Sequence, residues 1–269
     1  MKIAVLGNSH VGMLRAASAM QDFSGCQFAW MARHTPETWN FIVQGTEIVD
    51  QTKRRTNAPG LETRIDLAEF DAVVFAGNTV RVHDVVRICR SHVVPSWIGL
   101  ERARSELRGR WGKRPKRDPL SEAALDATLC GRIRANPTYI WAAALRESLN
   151  IPMLVVPPPY IRERVRSPDA EAFPIYREVR EPSAFPRMAQ SFNAAHLSVF
   201  DEISSVSVLL QDAETVTGGY FTKETYAAGA LSLDPSKPYA SDDMTHGNAE
   251  YGRITLNRIL HKLCGVGEK

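Results

Sequence analysis

Cysteine is scarce in this sequence and poorly placed for chemistry. The four among 269 residues, Cys26, Cys89, Cys130 and Cys264, lie far apart and form no Cys-x-x-Cys pair. Metal-ligand spacing is therefore absent, and a disulfide framework is not expected in a chain this long. Each cysteine sits in an apolar segment, so buried packing is its expected role. Long apolar runs are missing too. None approaches the roughly 20 residues of a membrane span, and the amino terminus has too few apolar residues after its one lysine for a signal peptide. There is no low-complexity tract, internal repeat or domain linker. An excess of one charge is also lacking: the net charge of +3 is too small to argue for nucleic acid. What remains is an ordinary globular composition, 44% hydrophobic and 23% charged, which suggests one soluble domain over residues 1–269 in a reducing compartment, by default the cytoplasm.

The first twelve residues organise the rest. Lys2-Ile3-Ala4-Val5-Leu6 is a short apolar run, Gly7-Asn8-Ser9-His10-Val11-Gly12 follows it, and apolar residues then recur at helical spacing through Val11, Leu14, Ala17 and Met20. This is a strand, a tight turn and a helix. Open α/β sheets bind ligands at such a turn, where helix N–H groups lack partners and the dipole favours negative charge. Three readings of the turn stand side by side. It is a bare connection that needs small residues. It is a dinucleotide site, Gly7-x-Ser9-x-x-Gly12 with serine at the middle glycine and Arg33 placed to read the 2′-phosphate of NADP. Or Ser9 is a nucleophile whose oxyanion is held by the helix start.

Along the chain, strands are expected at Gln27–Ala32, Asp71–Ala76, Pro152–Val156 and Val206–Leu210. Residues 34–64 are mixed, with Gly45, Gly60 and the cluster Lys53-Arg54-Arg55. Gly77-Asn78-Thr79 ends the third strand, with Thr79 as N-cap of a helix whose face is Val82, Val85, Val86 and Cys89. Further helices follow Ser121, begin at Asn136-Pro137, span about Met188–Ile203, and run from an Asn248 cap to Leu263. Surface excursions are expected near 101–117, 160–186 and 211–240. The first holds Arg102, Arg104, Arg108, Arg110, Lys113, Arg114, Lys116, Arg117 and Trp111; it reads first as a solvated helix end and loop, and second as a patch for an acidic or phosphorylated partner. The alternation implies a mostly parallel five-stranded sheet covered on both faces, with Ser9 and Asn78 facing one crevice.

A nucleophilic serine needs a base, and the base needs an orienting acceptor. Of seven histidines, only His246 has an aspartate three residues before it, Asp243. One short turn then carries both groups, with Nδ1–H on the carboxylate and Nε2 free for Ser9. The plainer reading is a polar turn in which His246 helps cap the last helix.

Taken together, Gly7-Asn8-Ser9, Gly77-Asn78 and Asp243-x-x-His246 stand in the order and positions of the SGNH/GDSL hydrolase family, which the sequence resembles over most of its length. The resemblance implies a flavodoxin-like three-layer α/β/α sandwich and hydrolysis of an ester, acetyl or short acyl, on a small molecule or a glycan. It makes Ser9 the nucleophile, His246 the base and acid, Asp243 its orienter, and the Ser9 N–H with the Asn78 amide the oxyanion hole. Asn8, His10 and Gly77 are candidate substrate contacts. Asn8 and His10 stand where the family usually has aspartate and leucine. The glycine of the family's second block has no evident place; Gly45 and Gly60 fall in the interval without a convincing strand before them. No metal, cofactor, nucleic acid or membrane is called for. A close variant is acyl transfer to a sugar hydroxyl. An NADP-binding oxidoreductase and a catalytically silent glycan-binding domain of the same fold compete with the hydrolase.

Overall fold

The structure is a computed structural model. It describes residues 1–23, 25–34, 37–52, 58–98, 117–167, 176, 184–234, 237–241 and 243–264. The strands are β1 (Lys2–Gly7), β2 (Gln27–Ala32), β3 (Phe41–Gln44), β4 (Glu47–Asp50), β5 (Arg64–Asp66), β6 (Ala72–Ala76), β7 (His92–Val93), β8 (Asp118–Pro119), β9 (Met153–Val156), β10 (Val206–Val208), β11 (Val216–Thr217) and β12 (Phe221–Thr222). The helices are α1 (Val11–Met20), α2 (Val82–Ser91), α3 (Glu122–Arg134), α4 (Pro137–Arg146), α5 (Ala184–Phe200), α6 (Glu224–Ala227) and α7 (Ala249–Cys264).

The central sheet has five strands in the order β10-β9-β6-β1-β2, and every pairing in it is parallel. Its inner strands, β1, β6 and β9, are apolar on both faces because both faces are covered. Ala4, Leu6, Val73, Phe75, Met153 and Val155 point into a core built with α2, α3, α4 and α5. Their neighbours Ile3, Val5, Val74, Ala76, Leu154 and Val156 point the other way, against α1 and α7. Phe75 and Leu6 are fully buried, each contributing roughly 1.5–3 kcal/mol. The chain leaves β1 toward β2 on one side, and β6, β9 and β10 build the other side. The gap between the ends of β1 and β6 is thus the point where the strand order reverses.

The last helix packs on the first. A Cβ at Gly252 would lie 2.1 Å from the Met13 carbonyl oxygen, so only glycine permits this approach of α7 to α1. Asn248 caps α7 as expected, its Oδ1 accepting from the N–H groups of Glu250 and Tyr251. The segments before the two helices, residues 8–10 and 243–248, are thereby brought to one end of the sheet.

Several expectations change. Residues 41–50 and 64–66 form a three-stranded antiparallel sheet, β3-β4-β5, with Gly45 in the hairpin turn at a φ of 62°. A strand therefore does precede Gly45. The Thr79 cap is replaced: the Asp84 carboxylate accepts from the Arg81 N–H at 3.0 Å, and the Thr79 hydroxyl bonds His196. Asn136 is at the cap position of α4, but its amide donates back to the Arg132 carbonyl. The helix expected from Met188 begins at Ala184 and ends at Phe200.

The excursions at 160–186 and 211–240 are not purely surface. Tyr160, Tyr176, Phe185, Tyr220 and Phe221 from the two stretches form one buried aromatic cluster. Rings of roughly 150–250 Å² cannot be left in water cheaply, and prolines nearby do not prevent their burial. Of the basic block only Arg117 is described; the rest, with Lys53-Arg54-Arg55, lies outside the described residues. All four cysteines are free; Cys89 is buried, Cys26 and Cys130 are half-buried, and Cys264 is exposed rather than packed. Among the described residues, no helix is long and apolar enough to cross a membrane.

Candidate active site

Ser9 follows β1 by two residues, in the turn before α1. The turn is tied by the Asn8 side chain, whose Oδ1 accepts from the His10 N–H at 3.1 Å. Asn78 stands at the equivalent place after β6, and the pairing of Gly7 with Ala76 sets the two turns side by side. Gly77 and Asn78 both adopt left-handed backbone, at φ 70° and 52°. A Cβ at Gly77 would fall 2.3 Å from Asn8 Oδ1 and 2.8 Å from the His10 ring, so glycine lets the turns meet. Asparagine is among the few other residues that tolerate this conformation.

From the far end of the chain, His246 reaches Ser9. Its Nε2 lies 2.8 Å from Ser9 Oγ, and its Nδ1 lies 3.0 Å from Asp243 Oδ1. A carboxylate only accepts, so Nδ1 carries the proton and Nε2 accepts from the serine hydroxyl. Asp243 Oδ2 accepts the His246 N–H at 3.1 Å, and Oδ1 also accepts the Thr245 hydroxyl at 3.0 Å. Burial alone would raise the Asp243 carboxyl. The hydrogen bond and charge of His246, helped by Thr245, outweigh it and hold the group below its usual value, so it is ionised.

The loop that carries Asp243 is held by Arg162, a nearly buried residue. Its guanidinium donates to the carbonyls of Ser241 and Asp243 at 3.1 and 3.2 Å and pairs with Glu224, while its N–H donates to the Met244 carbonyl. The His246 ring is stacked with Tyr239, centroids 4.0 Å apart and planes 12° from parallel, and lies 4.7 Å from the His10 ring. Burial raises the Tyr239 hydroxyl above its usual value. The nearby Ser9 hydroxyl acts the other way, though the two make no well-formed hydrogen bond. His10 is buried and held neutral: burial lowers it most, then the charges of His246 and Arg81, against the opposing pull of Asp243.

Asn78 is positioned on two sides. The Thr38 hydroxyl, fully buried, donates to Asn78 Oδ1 at 2.8 Å, and the Thr138 hydroxyl donates to the Asn78 carbonyl at 3.0 Å. With Oδ1 taken, Nδ2 is the free end of the amide. It is buried and has no hydrogen-bond partner among the described residues. A buried donor of this kind costs about 1–3 kcal/mol unless something accepts from it.

Ser9, His10, Asn8, Asn78 and His246 line one cavity of about 600 Å³, with His34, Trp39, Thr79, Arg81, Arg132, Tyr239 and Thr245 among its other walls. The volume suits a small ligand. Asn8 and His10 border it as expected, whereas Gly77 is not among its described lining. Its carbonyl and N–H are turned to Thr138 and Val156, so it supports the turn instead of touching a ligand. No glycine lines the cavity among the described residues; the stretch after β2 contributes His34 and Trp39, and behind them Thr38.

Arg33 does not serve a dinucleotide here. It is buried, 2.5 Å from Asp50, and its Nη1 donates to the Ala32 carbonyl. Its guanidinium is committed to the β2–β4 packing and cannot turn to a 2′-phosphate. Among the described residues, no group of three His, Cys, Asp or Glu side chains could hold a metal.

Sequence reasoning finds Ser9, Asn78, Asp243 and His246 but not Thr38, Arg162 or Tyr239. Thr38 and Arg162 act by contacts across 40 to 81 residues, and none of the three sits in a local pattern that announces it. Comparison with known proteins finds no family model that matches the chain and no curated protein similar to it.

Proposed function

We propose that this protein is a serine hydrolase of SGNH type that cleaves a carboxylic ester. One observation carries the reading: a hydroxyl, an imidazole and an ionised carboxylate in a hydrogen-bonded row, Ser9 Oγ to His246 Nε2 at 2.8 Å and Nδ1 to Asp243 at 3.0 Å, drawn from opposite ends of the chain. The strand order supports it as well. Numbered within the central sheet it is 2-1-3-4-5, the flavodoxin-like order, with the row at its switch point.

In this reading Ser9 Oγ attacks the ester carbonyl carbon while Nε2 takes its proton. Asp243 stabilises the imidazolium and fixes the ring. The negative oxygen of the tetrahedral intermediate is held by the Ser9 N–H, at the start of α1, and by Asn78 Nδ2. The orphaned amide then gains its missing acceptor only when the intermediate forms, which is where a donor lowers the barrier most. Collapse breaks the ester C–O bond, and the imidazolium gives its proton to the departing alcohol. A water, deprotonated by His246, then releases the acid from Ser9. A sugar hydroxyl in place of water would make the same groups an acyltransferase.

The test is turnover of short 4-nitrophenyl esters by the wild-type protein and by Ser9→Ala. The expected result is saturable hydrolysis that Ser9→Ala abolishes; equal rates for the two proteins would remove Ser9 from the mechanism.

A further inference from the structure

The cavity that holds Ser9 is also lined by two guanidinium groups from separate elements. Arg81 immediately precedes α2, and Arg132 lies in the last turn of α3; both are exposed to solvent at the rim. The acids nearby are already engaged. Asp84, the one carboxylate among the described lining residues, accepts from the Arg81 N–H and lies 3.9 Å from both Arg81 Nε and Arg87 Nη1. Asp243 faces His246. Arg132 has no ion pair among the described residues, while Arg134, two positions on, is paired with Glu202 away from the cavity. The start of α2 borders the same cavity and adds its positive end. The charge of Arg81 is felt inside the site, since it is one of the groups that keep His10 neutral. Trp39, also exposed, offers a flat apolar face to the same space.

A cavity with two guanidinium groups, only one of them near a carboxylate among the described residues, and one acid already engaged favours a negatively charged guest. We propose that the ester acted on at Ser9 carries an anionic group, a carboxylate or a phosphate, away from its scissile carbonyl, and that Arg81 and Arg132 bind that group. The inference rests on the hydrolase reading and adds the substrate's charge to it.

Matched esters test it. On the alcohol side they are 4-acetoxybenzoate, 4-acetoxyphenyl phosphate and neutral methyl 4-acetoxybenzoate. On the acyl side they are mono-4-nitrophenyl glutarate and its neutral methyl ester. At least one anionic ester should exceed its neutral partner about tenfold in kcat/KM, chiefly through KM, a factor set by one or two charge-assisted hydrogen bonds. That ratio should fall toward one in Arg81→Gln and Arg132→Gln, and also in about 0.5 M NaCl. The carboxylate and phosphate arms separate the two sources of charge.

Ratios at or below one on both sides, with neutral turnover that Ser9→Ala abolishes, would overturn the anion site and leave the hydrolase standing. Turnover of none of these esters would count against the hydrolase instead, and binding then decides the anion site. Titrating the Ser9→Ala protein with 4-hydroxybenzoate and phenyl phosphate should give saturable binding that either arginine substitution weakens about tenfold. No binding would overturn the proposal.

Discussion

The two walls of the cavity are built on opposite principles. On the Asp243–His246 wall most polar groups are spoken for, the buried Tyr239 hydroxyl excepted. Asp243 accepts from four donors, Thr245 and Arg162 lock its loop, and Tyr239 stacks on the ring. On the Asn78 wall, polar atoms are held in place but left unspent: Asn78 Nδ2, a donor, and His10 Nδ1 are both buried without a partner among the described residues. A saturated network fixes geometry, and an unsaturated one stores affinity for whatever arrives. In the proposed mechanism the first wall handles the proton, and the second meets the charge that the reaction creates.

Breaking the saturated wall should have the largest effect. Asp243→Asn keeps the shape but removes the charge and the tautomer preference, and kcat for ester hydrolysis should fall about 10⁴-fold. Next comes the open wall. Asn78→Gly deletes the amide while accepting the φ of 52° without strain, so its effect isolates the donor; kcat should fall roughly 10²–10³-fold. Losses of equal size in the two variants would erase the distinction between the walls.

The support behind the open wall can be probed by pH. His196 is fully buried, its Nδ1–H donating to the Phe192 carbonyl at 2.8 Å and its Nε2 accepting from Thr79, a cavity residue, at 3.2 Å. Burial lowers it to about 4, against the opposing effect of the Phe192 carbonyl. The unfolded chain takes up a proton below pH 6.5, while the folded one stays neutral until about 4. The unfolded state binds more protons in that window, so stability falls as the pH falls through it, by about 3 kcal/mol at the acid end. His83, lowered to about 4 chiefly by burial and then by Arg87 and Arg81, adds to the same slope. Urea midpoints should drop between about pH 6.5 and 4.5, and the drop should shrink in His196→Phe; an unchanged slope would contradict the assignment.

The smallest effect is expected at Thr38. Thr38→Val leaves Asn78 Oδ1 without its donor and frees the amide to turn, so kcat should fall about tenfold with KM nearly constant, and Thr38→Ser should restore most of it.

The contrast between the walls also marks what is legible in the sequence. The three inner strands, β1, β6 and β9, stand out as apolar runs because both their faces are buried, and Asp243 and His246 stand out because they lie three positions apart. The β3–β4 hairpin is hard to see although Phe41–Asp50 has a turn at Gly45-Thr46. Its strands are four residues long, and Ile42 and Val43 blur the alternation. Thr38, in a single 3-10 turn, becomes a positioning residue only when β6 delivers Asn78 to it from 40 residues away. Arg162 reads as one charge in a proline-rich surface stretch; its burial is decided by the loop it straps, which lies near the other end of the chain. Arg33 misleads for the converse reason, since Asp50, its partner, sits on a strand that local pattern does not reveal.

The account turns on Ser9 being activated by His246. Treating the protein with a fluorophosphonate and mapping the adduct by peptide mass spectrometry tests this most directly. The account predicts a single phosphonylated residue, Ser9, with labelling lost in His246→Ala. Labelling of another residue, or labelling of Ser9 at the same rate without His246, would contradict it.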